Sequence, residues 1–283
     1  MAVLKDFQNG TKSNWCPGCG HYAVLNAIQN ALVKSGTEPH EAMVVGGIGC
    51  SSRIYSYLYA YGFHSLHGRA LPIAQGIKMA NKNLKVIAAG GDGDGFAIGT
   101  AHTIHSMRRN IDMTYVVMDN HVYGLTKGQA APTSPVGLVT PTQIDGVYNE
   151  PINPMALALS LGATFVARGF SGDSAKTKEL IKQAIQHKGY AIIDIFHPCV
   201  TYNKVNTFAW YKKNTYWLDE NHDPKNKEAA MKLALDTERL ACGVLYQNTD
   251  TADYFTRNPF YKGDDRPFYT KTRDLDQVQK LLD

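Results

Sequence analysis

Residues 85–126 constrain the fold more than any other stretch, because apolar runs there alternate with turns almost bare of side chains. Residues 85–89 (KVIAA) read as a strand, and Gly90, Gly91, Asp92, Gly93, Asp94 and Gly95 follow as a tight turn. Ala97, Ala101, Ile104 and Met107 then recur at helical spacing, and residues 113–118 (MTYVVM) form a second strand closed by Asp119 and Asn120. Two strand ends therefore lie near one helix N-terminus. Glycines let backbone N–H groups approach an anion, and a helix end contributes about half a positive charge, so this turn is predicted to bind phosphate. Asp92 and Asn120 add oxygen donors at the carboxyl ends of two strands, where ligands sit in open parallel sheets. Oxygen donors beside phosphate oxygens suit magnesium, which holds its ligands at about 2.1 Å. A turn that merely needs positive φ is the plainer account of the same glycines.

The rest of the chain supports that stretch. Val24, Ala27, Ile28, Ala31 and Leu32 form a helical stripe ended by Gly36, and Ser174 opens a second amphipathic helix carrying Leu180, Ile181, Ala184 and Ile185, stopped by Gly189. Strands and helices alternate, which predicts an α/β fold with a doubly wound, mainly parallel sheet over residues 1–203. Residues 204–283 read as a C-terminal extension, polar and aromatic at first, then helical over residues 227–245, and suited to contact with another subunit. Residues 128–154 lack the alternation and are rich in Pro, Thr, Gly and Ser, as a cover over a cofactor or a surface loop would be. A net charge of +4 with dispersed basic residues is too mild to argue for nucleic acid or an anionic membrane. No apolar stretch approaches the roughly 18 residues that a membrane span needs, so a soluble cytoplasmic protein is expected.

The cysteines add a second kind of chemistry. Without a secretion signal, Cys16, Cys19, Cys50, Cys199 and Cys242 are not expected to form disulfides. Cys16 and Cys19 sit in WCPGCGH, a spacing shared by zinc knuckles, redox dithiols and iron–sulfur ligands. Cys50 follows a buried strand (residues 42–45) through a glycine turn, and Cys199 follows the apolar run 190–196 with His197 and Pro198 between. Singly, Cys50 or Cys199 reads as a small buried hydrophobe. In a parallel sheet, however, four cysteines gather beside the diphosphate turn and Cys242 is left over. Four thiolates suit a [4Fe-4S] cluster, with zinc as the competing account.

Taken together, WCPGCGH, GGIGCSS, FHSLHGRALPIAQGIK, GDGDGFAIGTAHTIHSMRRN, MDNHVYGLTKGQ and HPCVTYN resemble the β subunits of 2-oxoacid:ferredoxin oxidoreductases, over most of residues 12–205. The GDG-to-Asn stretch is similar to the motif of thiamine diphosphate enzymes, except that Asp119 stands where a first asparagine is usual. The resemblance implies that Asp92, Asn120 and the Val122 carbonyl hold magnesium, and that Cys16, Cys19, Cys50 and Cys199 ligate a [4Fe-4S] cluster. It implies a thiamine diphosphate site lined by Ile48, Gly49, Cys50, Ser51, His67, Gly93, Asp94, Gly124 and Leu125. Lys127 and Arg53 are candidates for contact with substrate or coenzyme A, and a cation at Arg53 favours an acidic 2-oxoacid such as 2-oxoglutarate over pyruvate. The implied activity is coenzyme A-dependent oxidative decarboxylation of a 2-oxoacid with electrons passed to ferredoxin. Only one glycine-aspartate domain is present, so the resemblance further implies an α subunit carrying the pyrimidine domain, in an αβ or (αβ)2 assembly. A non-redox thiamine diphosphate decarboxylase subunit and a zinc-stabilised nucleotide-binding module are the alternatives.

Overall fold

Period-two burial along the apolar runs decides the architecture, and it is clearest in the strand Met113–Asp119. Met113, Tyr115 and Val117 enter one core, while Val116 and Met118 enter another on the opposite face. A strand buried on both faces must lie inside a sheet with helices above and below it. The computed structural model, which describes residues 1–272 and 274–282, has that form. Its strands are β1 (Ala42–Gly46), β2 (Tyr61–His64), β3 (Lys85–Gly91), β4 (Met113–Asp119), β5 (Val122–Tyr123), β6 (Gln129–Ala130), β7 (Phe165–Phe170), β8 (Tyr190–Phe196), β9 (Thr215–Trp217) and β10 (Leu240–Gln247). Its longer helices are α1 (His21–Lys34), α2 (Ala70–Ala80), α3 (Thr100–Arg109), α4 (Pro154–Ser160), α5 (Ser174–Gln186), α6 (Phe208–Asn214) and α7 (Lys227–Leu235).

Among the described residues, eight strands form one sheet in the order β2-β1-β3-β4-β8-β7-β10-β9, and β5 and β6 pair apart from it. Every neighbouring pair in the large sheet is parallel except β7 with β10. Helices α1 and α5 cover one face through Val24, Ile28, Leu32, Leu180 and Ile181. Helices α2, α3, α4 and α7 cover the other, through Leu71, Ala74, Met107, Met155, Leu159 and Ala230. The doubly wound, mainly parallel sheet expected from the sequence is thus present. Most important for function, β1, β3, β4 and β8 are consecutive neighbours, so the loops that leave their carboxyl ends emerge side by side.

One local reading is corrected. The helical pattern over residues 227–245 is two elements, α7 and then β10. Asp236 adopts extended backbone after α7, and its carboxylate accepts from the backbone of Glu238 and Arg239, which turns the chain. Cys242 therefore lies in a buried strand, packed with Phe170, Phe196 and Tyr211. The chain after residue 203 contributes β9 and β10 to the sheet and Ala230, Leu245, Phe255 and Tyr261 to the core beside β3 and β4. Among the described residues, no helix is long and apolar enough to cross a membrane.

Candidate active site

Three of the loops leaving the parallel strands, with the turn before α2, enclose a cavity of about 180 Å³. Ile48, Gly49, Cys50 and Ser51 leave β1, Asp92, Gly93 and Asp94 leave β3, Asn120, Val122, Tyr123, Gly124, Leu125 and Thr126 leave β4, and His67 comes from the turn. Asp94 ties three of these segments together. Its Oδ1 accepts from Ile48 N at 3.0 Å and Gly68 N at 2.8 Å, and lies 2.7 Å from His67 Nδ1. Asp94 also begins a π-helical turn, Asp94–Ile98, an irregularity that is frequent at functional sites.

Asp92 is buried at 2% exposure, and its Oδ2 lies 2.6 Å from the Thr133 hydroxyl, which is also 3.0 Å from Asp119 Oδ1. Burial, helped by the neighbouring Asp119 charge, pushes the Asp92 carboxyl well above the usual carboxylate range. Asn120 turns the chain by accepting from Val122 N at 3.0 Å. Between them His121 sits in the left-handed region at φ 61°. Burial opposes charging His121, but Asp119 at 3.2 Å outweighs it, and His121 is pushed up to about 9. Burial likewise opposes ionising Asp119, yet His121 holds it below its ordinary value. The aspartate that departs from the usual motif is thus neutralised locally.

A second cavity, of about 200 Å³, adjoins the first and is lined by Cys16, Cys19, Cys50 and Cys199 together with Trp15, His21, Arg53 and His197. Cys16 and Cys19 arrive on the loop ahead of α1, which Trp15 fastens by donating from Nε1 to the Cys50 carbonyl at 2.8 Å. Gly124 faces two of the sulfurs, since a Cβ there would stand 3.6 Å from Cys199 Sγ and 3.9 Å from Cys50 Sγ. Burial pushes the Cys19 thiol up to about 11, opposed by a backbone N–H and reinforced by Cys199, Cys50 and Cys16. Burial and the charges of Cys199 and Cys16 raise Cys50 too. Four thiols around one cavity are a donor set that could hold a metal centre. Among the described residues, Cys19, His21 and His197 form a group whose ligand atoms all lie within 4.8 Å of one another.

All of the residues proposed for magnesium and thiamine diphosphate, and all four clustered cysteines, line one cavity or the other. Arg53 is half-buried in the cysteine cavity, whereas Lys127 is exposed, at φ 79°, and lines neither. Several contributors escaped the sequence reading. Thr133 holds Asp92 from the long loop, and Tyr123 lines the first cavity and donates to the Gly93 carbonyl at 3.3 Å. His21 joins the two cavities, and its only sequence signal is its place directly after the second cysteine turn.

A doubly wound sheet with this acidic glycine turn defines a thiamine diphosphate-binding domain, and residues 47–195 match the family described as thiamine pyrophosphate enzyme, C-terminal TPP binding domain. Residues 199–263 match the C-terminal region of the pyruvate ferredoxin oxidoreductase beta subunit. The chain is 44% identical over 255 residues to the β subunit of 2-oxoacid:ferredoxin oxidoreductase 2 of Aeropyrum pernix, covering 86% of this chain and 82% of that relative. It is 45% identical over 271 residues to the corresponding subunit of Saccharolobus solfataricus, covering 91% and 88%. A solved structure of the 2-oxoglutarate:ferredoxin oxidoreductase from Magnetococcus marinus, with 2-oxoglutarate, coenzyme A and succinyl-CoA bound, superposes with a TM-score of 0.93. That match has 38% identity and covers 100% of this chain and 96% of the other. The chain belongs to the β subunits of 2-oxoacid:ferredoxin oxidoreductases, and is accordingly one subunit of a multisubunit oxidoreductase.

Proposed function

We propose that this chain is the β subunit of a cytoplasmic 2-oxoglutarate:ferredoxin oxidoreductase, carrying thiamine diphosphate, magnesium and a [4Fe-4S] cluster and working with an α subunit. The observation that carries this reading is the common wall of the two cavities, formed by Cys50, Asn120, Gly124 and Leu125. When bound, thiamine diphosphate supplies the chemistry that releases carbon dioxide from a 2-oxoacid and passes the acyl group to coenzyme A, and the cluster supplies a one-electron exit to ferredoxin.

The residues fit those groups. Asp92 is a buried acid beside a second acid, and a divalent cation held with Asn120 and the Val122 carbonyl is a suitable counter-charge. Ile48, Gly49, Ser51, His67, Gly93, Gly124 and Leu125 form the walls for the cofactor, with Asp94 keeping His67 and two backbone N–H groups in place. Cys16, Cys19, Cys50 and Cys199 supply four thiolates around one cavity, the ligand number of a [4Fe-4S] cluster. Free cysteines throughout fit a reducing compartment. Arg53, beside Cys50, is the residue assigned to a substrate carboxylate, and Lys127 at the loop exit to coenzyme A or substrate. The extension after residue 203 is assigned to subunit contact, in keeping with exposed Phe260, Tyr269, Leu275 and Leu281.

The test is an anaerobic visible absorption spectrum of the αβ complex before and after 2-oxoglutarate and coenzyme A, with iron and zinc measured on the same sample. The expected result is an iron–sulfur band that bleaches only when both are present. Stoichiometric zinc in an iron-free, colourless complex would instead establish the non-redox decarboxylase subunit, with Cys19, His21 and His197 as the ion's neighbours. For the substrate, Arg53→Ala is expected to raise KM for 2-oxoglutarate and leave that for pyruvate unchanged.

A further inference from the structure

One side chain spans the two cavities without belonging to the ligand sets assigned above. His21 is the first residue of α1 and is 1% exposed. Its Nδ1 lies 3.0 Å from Cys19 Sγ, and its Nε2 lies 2.9 Å from Ser51 Oγ. Cys19 lines the cysteine cavity and Ser51 the cavity next to Asp92, so a single hydrogen-bonded line runs between them. The ring is clamped: Trp15 stacks on it at 5.1 Å and 23°, and His197 packs against it at 4.2 Å. Gly20 permits this approach, because a Cβ there would fall 2.7 Å from His197 Cβ and 2.8 Å from Ser171 Oγ.

We propose that His21 is a positioning residue whose Nδ1–H donates to the Cys19 thiolate, setting the reduction potential of the cluster and linking it to the wall of the thiamine diphosphate cavity. The inference rests on the cluster assignment made under the proposed function. A thiolate bound to iron only accepts hydrogen bonds, so the hydrogen of this contact belongs to His21 Nδ1. Nε2 is then the bare nitrogen, and the Ser51 hydroxyl is left as its donor. A hydrogen bond to a cluster sulfur favours the reduced, more negative state and so raises the potential.

The test uses the anaerobically purified αβ complex. In wild type, pulsed EPR of the reduced cluster with 15N-histidine is expected to show a weak nitrogen coupling, alongside an exchangeable proton seen by comparing H2O with D2O. A redox titration should then find a more negative midpoint for His21→Leu, restored toward wild type by His21→Asn, whose amide reaches the Nδ1 position. Iron content should be the same in all three. Wild-type complex without iron would sink the cluster assignment itself. Full iron with an unmoved midpoint in His21→Leu would overturn only the role of His21. A strong, directly bonded nitrogen coupling would also overturn it, by making His21 a ligand. If either variant loses iron or fails to fold, the wild-type couplings decide, and their absence rejects the proposal.

Discussion

At the scale of single residues, the acid turn depends on a threonine that no local pattern marks. The Thr133 hydroxyl sits against both Asp92 and Asp119, 41 residues from the former along the chain. Residues that orient a metal ligand from behind usually change metal affinity by about ten- to a hundredfold when removed. Thr133→Val should therefore weaken magnesium-dependent thiamine diphosphate binding about ten- to a hundredfold, measured by fluorescence titration at fixed magnesium. An unchanged dissociation constant would show that Asp92 is oriented without it. A different histidine makes the fold sensitive to acid. His187 is buried beside Phe165 with Nε2 on the Thr164 hydroxyl and, among the described residues, no partner on Nδ1. Burial lowers it to about 4, with Asp112 opposing. Its folded value lies below its unfolded one, so the unfolded chain takes the proton first as pH falls. The stabilisation is complete above about pH 6.5 and is lost toward about pH 4, amounting to at most about 3 kcal/mol. His187→Gln should narrow the loss of stability between about pH 7.5 and about pH 5 in urea unfolding. An equal loss in both proteins would acquit His187.

At the scale of elements, the same substitution is expected to have opposite signs at two glycines. Gly47 follows β1 with no room for a side chain, because a Cβ would overlap the Asp94 carboxylate that fixes Ile48, Gly68 and His67. Gly76 lies on the exposed side of α2, where an added methyl would meet nothing within 4 Å among the described residues and the backbone has no positive φ. Gly47→Ala should cost about 1–3 kcal/mol and weaken thiamine diphosphate binding. Gly76→Ala should add about 0.5–1 kcal/mol by restricting the unfolded chain. Melting temperatures of the two variants check the pair, and a neutral Gly47→Ala would mean that Asp94 can move without consequence. Elements bounded by such glycines were the legible ones: β1, β3, β4 and β8 follow from short apolar runs that end in Gly, Asp or His-Pro-Cys, and their shared edge follows from parallel pairing. Other elements were not legible for physical reasons. In β2 all four residues are exposed, so no burial pattern marks it. In β10 the run of Leu, Ala and Val also fits a helix, and the Asp236 turn and pairing with β7 and β9 decide otherwise. His21 and Thr133 act through contacts between distant segments, which periodicity does not encode.

At the scale of the whole molecule, the open edge of the sheet carries an apolar rim. Tyr61 and Phe63 alternate along the edge strand β2, Leu66 follows in the turn at 76% exposure, and Ile98 joins them through its contact with Gly68. Proteins that work alone usually charge or cover such an edge, because its open N–H and C=O groups and apolar side chains invite association. This rim is also next to His67 and Asp94, where a second domain reaching the cofactor would have to arrive. The proposed α subunit is expected to cover this rim. Phe63→Glu combined with Leu66→Glu should then abolish co-purification with the α subunit and with it turnover. The isolated chain should keep its melting temperature, since exposed substitutions usually change stability by no more than about 0.5 kcal/mol. The unaltered chain without its partner should show no turnover either. Retention of the complex by the double variant would move the contact to the C-terminal extension, where Tyr269, Leu275 and Leu281 are the next apolar residues to charge. Turnover by the purified chain alone would go further and remove the need for a second subunit at the cofactor.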